Sequence, residues 1–385
     1  MSILRPSVLP LILIGLTSQT APPALPPVFT SLGVADAWRV SRGAGVSVGI
    51  VDVGFDFEHP ALETALEPGF FAPGVYHSSA SVIVAHGTAI ASVIGARPAP
   101  GAEIVGLAPE ARMIAAARGM PAHTLAQLQR QLGLAGRPIE EVAAALRPHL
   151  DEIKAFQSRW IRHVADSTAA AIEYLVDRQV AVINISENLP LDAFAALPDQ
   201  AARLQRAFET AAARDVVIVL AAGNAGTRVE HYPGDPRFVA VVGAATAGDT
   251  RWRQPSPRPG LPAQGSSVGP RLTVLAPMEH FAVARPHDPA LYRLLHSPMG
   301  PIDEPFEGAV AAQPLGATSV AAAVVTGLVA LVRSADRSLT AGQVISLIGR
   351  AAKDLGAPGR DDESGFGRVD FGGTLALVAR KDGGR

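Results

Sequence analysis

Apolar residues fall along this chain in two alternating rhythms. Short runs rich in Val, Ile and Ala, at Val46–Val51, Arg112–Ala116, Val180–Ile185, Val216–Ala221 and Val239–Val242, lack polar alternation and read as strands buried on both faces. Between them, apolar positions recur every three or four residues over Gly87–Ile94, Ala165–Arg178, Asp199–Arg214, the stretch after Ser319, and Arg337–Ala351, which predicts helices. Strands alternating with helices predict an α/β fold built on a parallel sheet with helices on both faces.

Two stretches depart from this rhythm. At about 120–163, Leu125, Leu128, Leu132, Val142, Leu146, Leu150, Ile153, Phe156 and Ile161 recur at helical spacing with Glu and Arg between them. Pro138 and Pro148 divide the run, so two or three amphipathic helices are expected, forming a helical insertion within a domain of residues 31–380. The plainest use of such an element is packing on the domain or on itself; gating of a substrate or partner is the sharper reading. Residues 1–30 differ again, with Arg5, the apolar stretch Val8–Leu16 and then prolines 22, 23, 26 and 27. That is either a signal-like segment or an attached arm that inhibits the domain it precedes, so a secreted and a cytoplasmic location both stay open. The apolar stretch is too short to span a bilayer, and no stable membrane insertion is expected.

Composition narrows the function classes. The chain has 385 residues, of which 48% are hydrophobic, enough for a large core. Its net charge of −2 argues against a nucleic-acid partner. With no cysteine, disulfide frameworks, thiolate nucleophiles and Cys-based metal sites are excluded.

Three short segments carry candidate chemistry. Gly316-Ala317-Thr318-Ser319-Val320-Ala321-Ala322-Ala323 sets a serine at the start of a very apolar helix. Free backbone N–H groups there can stabilise an oxyanion, although a serine in that place also serves as an ordinary cap. The strand ending Ile50-Val51-Asp52 delivers an acid to the carboxyl edge of the sheet, where open α/β sheets bind ligands, unless Asp52 only makes a turn. His86-Gly87-Thr88 opens a second apolar helix, where a histidine can face a cleft or simply pack. Together Asp52, His86 and Ser319 are the residue types of an orienting carboxylate, a base and a nucleophile.

Their order, with these motifs, resembles that of the subtilisin-like serine peptidases, the subtilase family. Asp52-Val53-Gly54 with Asp56 and His59-Pro60, His86-Gly87-Thr88, and Thr318-Ser319 with Ala321 and Gly327 match the family's three motifs. Supporting stretches are Gly106–Ala111, Ile183-Asn184-Ile185-Ser186, Ala221-Ala222-Gly223-Asn224 and Gly365–Asp370, and the likeness extends from about Val34 to Leu377. The resemblance implies a three-layer α/β/α fold on a seven-stranded-type parallel sheet, and a serine endopeptidase acting on protein or peptide substrates. It implies that Ser319 attacks the scissile carbonyl, His86 carries the proton, Asp52 orients His86, and Asn224 donates to the oxyanion with the Ser319 N–H. An isolated Gly-Asn would instead be read as a turn.

It further implies that substrate lies as an added strand along Ser186, Glu187 and Asn188, opposite Ala222 and Gly223. Here the chain departs from the family, which has Ser-Leu-Gly at that strand. Glu187 is expected to favour a basic or polar substrate residue unless it is merely solvated, and Asn188 to narrow the primary pocket. Both favour restricted specificity, such as precursor processing. Ala317 replaces a glycine beside the nucleophile and requires negative φ there. Ala61 replaces a calcium-binding acid, so neither a metal at that site nor any cofactor is expected. A non-catalytic binding protein with a decayed cleft is the alternative to the enzyme.

Overall fold

The computed structural model describes residues 25–73, 84–99, 104–119, 132–133, 137, 139–255, 263–284 and 317–382. Strands β1 (Ser47–Asp52), β2 (Leu66–Phe71), β3 (Arg112–Ala117), β4 (Val182–Ile185), β5 (Val217–Ala221) and β6 (Val239–Ala245) precede a short antiparallel pair, β7 (Arg253–Gln254) and β8 (Gln264–Gly265). β9 (Leu272–Pro277) follows. The main sheet has seven strands in the order β2-β3-β1-β4-β5-β6-β9, and every neighbouring pair is parallel.

The five strands marked by hydrophobic pattern are the five inner ones. The two it did not mark are the edges. β2 reads LEPGFF, and its Pro68 lacks the N–H that an inner strand must donate on one side, so it fits only an edge. β9 is preceded by Pro270 and closed by Pro277, which hides it among turn signals.

Helices α1 (Pro27–Ser31), α2 (Val34–Ala37), α3 (Val84–Gly95), α4 (Ile139–Leu146), α5 (Leu150–Asp177), α6 (Pro198–Ala213), α7 (Ala317–Ala335), α8 (Ala341–Ala351) and α9 (Phe371–Asp382) cover the sheet. Alternate strand residues feed the two outer layers. Val48, Ile50, Val217 and Val219 pack with α3 and α7, whereas Val51, Ile183, Ile185, Ile218 and Leu220 pack with α5 and α6. The result is the three-layer α/β/α arrangement. α5 comes so close to β1 that a Cβ on Gly49 would lie 2.7 Å from Leu175 Cδ1, so only glycine fits there.

α7 is apolar all round and long enough to cross a membrane, yet 89% of Thr318–Ala335 is buried inside the protein. It is the central core helix. α8 starts at Ala341 instead of Arg337 because Thr340 caps it. Thr340 Oγ1 accepts from Gln343 N, and Gln343 Oε1 accepts from Thr340 N at 2.8 Å.

The described part of the insertion consists of α4, a single 3₁₀ turn holding Pro148, and the start of α5. α5 then runs 28 residues without a break. The helix expected at Ala165–Arg178 and the end of the insertion are therefore one rod, exposed at Leu150 and buried from Val164 onward. Leu125 and Leu128 lie outside the described residues.

Before β1, α1 packs Val28 and Phe29 into the core. The Phe29 ring meets Trp38 edge-on at 5.9 Å and lies 6.2 Å from Phe281. Phe371 N donates to Leu32 O at 2.9 Å, which ties this segment to α9. Phe29→Ala is expected to destabilise the protein by about 3–5 kcal/mol, read from the denaturant midpoint at constant slope. A change near zero would mean that α1 is not part of the cooperative unit. Residues 1–24 of the N-terminal extension lie outside the described residues.

Candidate active site

Parallel pairing brings the carboxyl ends of β1, β4 and β5 to one edge, and the starts of α3 and α7 meet them there. Asp52 is the last residue of β1, His86 stands in the first turn of α3, and Ser319 in the first turn of α7. Ser186, Glu187 and Asn188 follow β4, and Asn224 follows β5. A cavity of about 320 Å³ opens between them, lined by Asp52, His86, Ser319, Ser186, Asn188 and Asn224 among others.

His86 Nδ1 lies 2.9 Å from both Asp52 carboxylate oxygens. Asp52 is almost fully buried, and its Oδ1 also accepts from Val53 N at 2.7 Å. Burial of the ring opposes the charged form of His86. The Asp52 charge and hydrogen bond outweigh it, Glu187 adds to them and Arg118 subtracts, so the His86 pKa stands above the ordinary histidine value. A base works only when neutral. The acid limb of kcat/KM is therefore expected to have its midpoint above pH 6.5, with activity falling as pH drops through it. A midpoint below 6.5 in a pH profile would contradict the Asp52–His86 electrostatics.

The Ser319 hydroxyl donates to the Ser186 carbonyl at 3.1 Å, and Ser186 Oγ donates to the Ser319 carbonyl at 3.2 Å. Behind them runs a buried chain. Asn184 Nδ2 donates to Ser186 Oγ at 2.8 Å, and Thr326 Oγ1 donates to Asn184 Oδ1 at 2.9 Å. The turn bearing Ser319 is thus tied to β4 by Ser186 and through the buried Asn184–Thr326 pair. Ala317 is the first residue of α7, a helical position open to any L residue.

Asn224 is held by its carbonyl end. Its Oδ1 accepts from Thr318 Oγ1 at 2.7 Å and from Thr318 N at 3.1 Å, which leaves the Nδ2 protons to donate into the cleft. Gly223, with φ of +98°, makes the turn, and Asn188 lies against it so closely that a Cβ on Gly223 would come 2.4 Å from Asn188 Nδ2. Ala222 does not line the cavity. Its side chain packs with the α5–α6 layer, and its carbonyl accepts from the buried Tyr232 hydroxyl at 2.7 Å. Burial raises the Tyr232 pKa well beyond the ordinary phenol value, so it stays a donor. Ala221 and Gly223 are the lining residues of that segment.

Two lining residues were not anticipated from the sequence. Arg118, one residue past β3, is buried with its guanidinium paired to Glu187, and it sits 5.6 Å from the ring centre of Trp160 on α5. His163 Nε2 makes a 2.8 Å hydrogen bond to the Arg118 carbonyl, so the insertion-bearing helix props this wall of the cleft. The Glu187 carboxylate is thus balanced by a cation from within, and an unopposed negative charge facing substrate is not what stands there. An arginine after a strand carries no signal of its own; only the pairing of Glu187 with a cation from another strand end could have raised it. Ala61 is fully buried in the apolar core, and no cluster of three or more His, Asp or Glu side chains able to hold a metal occurs among the described residues.

Comparison with known proteins places the chain in a family. The family model described as "Subtilase family" matches residues 43–367. Mycosin-1 of Mycobacterium tuberculosis is 31% identical over 366 residues, covering 89% of this chain and 71% of the relative. The solved structure of the MycP3 protease from the type VII (ESX-3) secretion system is 27% identical with a TM-score of 0.60, covering 93% of this chain and 90% of that one. A chain in the periplasmic assembly from the ESX-5 inner membrane complex is 25% identical with a TM-score of 0.61, covering 93% and 85%. The family match spans most of the chain, and the solved relatives share its fold: this protein is a serine peptidase of the subtilase family.

Proposed function

We propose that Asp52, His86 and Ser319 act as the catalytic triad of an endopeptidase of restricted specificity, cutting a defined precursor protein or peptide. The observation that carries this reading is the His86–Asp52 pair, bonded at 2.9 Å in the same cavity as Ser319 and Asn224. Ser319 Oγ adds to the scissile carbonyl as His86 Nε2 takes its proton. The imidazolium is stabilised by Asp52 and returns that proton to the leaving amine; water then repeats the sequence on the acyl-enzyme. Asn224 Nδ2 and the Ser319 N–H meet the oxyanion, two donors oriented before the reaction begins.

Restricted specificity is supported by the walls. Substrate laid as a strand along Ser186–Asn188 meets Asn188 pressed onto Gly223 where a bare backbone would leave a wide pocket. Trp160 and the pair Arg118–Glu187 line the cavity on the same wall. A secretion-system setting, as for MycP3, suits an enzyme that cuts one partner and spares others. The alternative of a binding protein has no use for a carboxylate-bonded histidine beside a buried serine. The test is a fluorophosphonate probe, with the modified peptide located by mass spectrometry. Label on Ser319 supports the triad, and an unlabelled protein overturns it.

A further inference from the structure

The wall formed by Arg118 and Glu187 has unused hydrogen-bonding capacity. The Arg118 side chain is only 4% exposed; its Nη2 is bonded to Glu187 Oε2, while its Nη1 has no partner. Glu187 is 30% exposed, and no hydrogen bond among the described residues reaches its Oε1. On the same wall, Asn188 Oδ1 is a buried acceptor, and like Arg118 Nη1 it has no partner among the described residues. All three residues line the cavity that holds Ser319, and Glu187 adjoins the residue whose carbonyl holds the Ser319 hydroxyl. Buried donors and acceptors are rarely left unmatched, and a cationic N–H is the most costly to leave so.

The pair already sums to zero charge. A substrate carboxylate brought to Nη1 would also face the Glu187 carboxylate, and a substrate ammonium brought to Glu187 would face the guanidinium. Either leaves a third charge uncompensated in a desolvated cleft. A carboxamide adds no charge. Its carbonyl accepts from Nη1, and its two N–H groups find acceptors in Glu187 and Asn188. The Trp160 ring beside the guanidinium offers that planar group an apolar face. We infer that Arg118 and Glu187, with Asn188, form a specificity subsite for a substrate asparagine or glutamine side chain.

This rests on the peptidase reading above, and the experiment separates the two. Fluorophosphonate labelling is measured on one aliquot, and kcat/KM on an untreated aliquot with a fluorogenic peptide library that varies each residue before the cleaved bond. Untreated wild type, its parallel aliquot having labelled, is expected to favour Asn or Gln over Asp, Glu, Lys and Arg at one position by tenfold to a hundredfold, on the order of one or two hydrogen bonds to charged groups. Glu187→Gln keeps the shape and frees the Arg118 charge, so preference at that position moves to Asp and Glu. Arg118→Met leaves Glu187 unopposed, and preference moves to Lys and Arg. Glu187→Gln alone suffices if Arg118→Met fails to fold. A wild type that labels but whose untreated aliquot shows no carboxamide preference, or a Glu187→Gln library identical to the wild type, overturns the subsite while sparing the peptidase. An unlabelled wild type overturns both.

Discussion

Ser319→Ala is expected to lower peptide hydrolysis by about six decades, the scale of a triad that has lost its nucleophile, while substrate binding changes little. The hydroxyl makes one hydrogen bond, to the Ser186 carbonyl at 3.1 Å, and that carbonyl keeps a position where substrate or water can reach it. The stability cost is therefore that of one neutral hydrogen bond, about 1 kcal/mol. The checks are single-turnover kinetics on a fluorogenic peptide and the thermal midpoint of the same preparation. A variant that folds and still cleaves within tenfold of the parent would assign the chemistry to another residue. A variant inactive because unfolded would show in the midpoint.

Asp52→Asn comes next, with an expected loss of about 10⁴ in kcat. The geometry gives the reason. Asp52 Oδ1 is held by Val53 N at 2.7 Å. An asparagine keeps that bond through its own Oδ1, which turns its NH₂ toward His86 Nδ1. The ring nitrogen there must then accept, its proton moves to Nε2, and the atom that should receive the serine proton is already occupied. The same change removes the main influences raising the His86 pKa while burial of the ring persists. The midpoint of the acid limb is thus expected to fall as the plateau collapses. A plateau that drops with no downward shift would mean that Asp52 orients the ring without charging it.

Much of this site was readable because its parts are local. A β-branched run ending in Asp52, a His-Gly-Thr opening a helix, and Thr318-Ser319 in the first turn of a nineteen-residue apolar helix each declare an element and its end. Sheet edges were harder. β2 contains Pro68 and Gly69, and its pairing with β3 slips between Pro68 and Phe70, so no period survives in the sequence. The join between the insertion and α5 was also hidden. Pro148 stands two residues before Leu150, and a proline near a boundary does not say on which side the long helix lies.

The sequence by itself determined the fold class, the inner strands and the residue types at the centre, because hydrophobic period and motif spacing are properties of neighbouring residues. Only the tertiary structure decided what the cleft walls are. Arg118 meets Glu187 across 69 positions, Trp160 arrives from the insertion side of α5, and Asn224 is oriented by Thr318 from 94 positions away. Charge balance and hydrogen-bond completion depend on which distant side chains share a desolvated space. No local pattern records that, and it is what turns an apparently acidic wall into a neutral one with a donor and acceptors to spare.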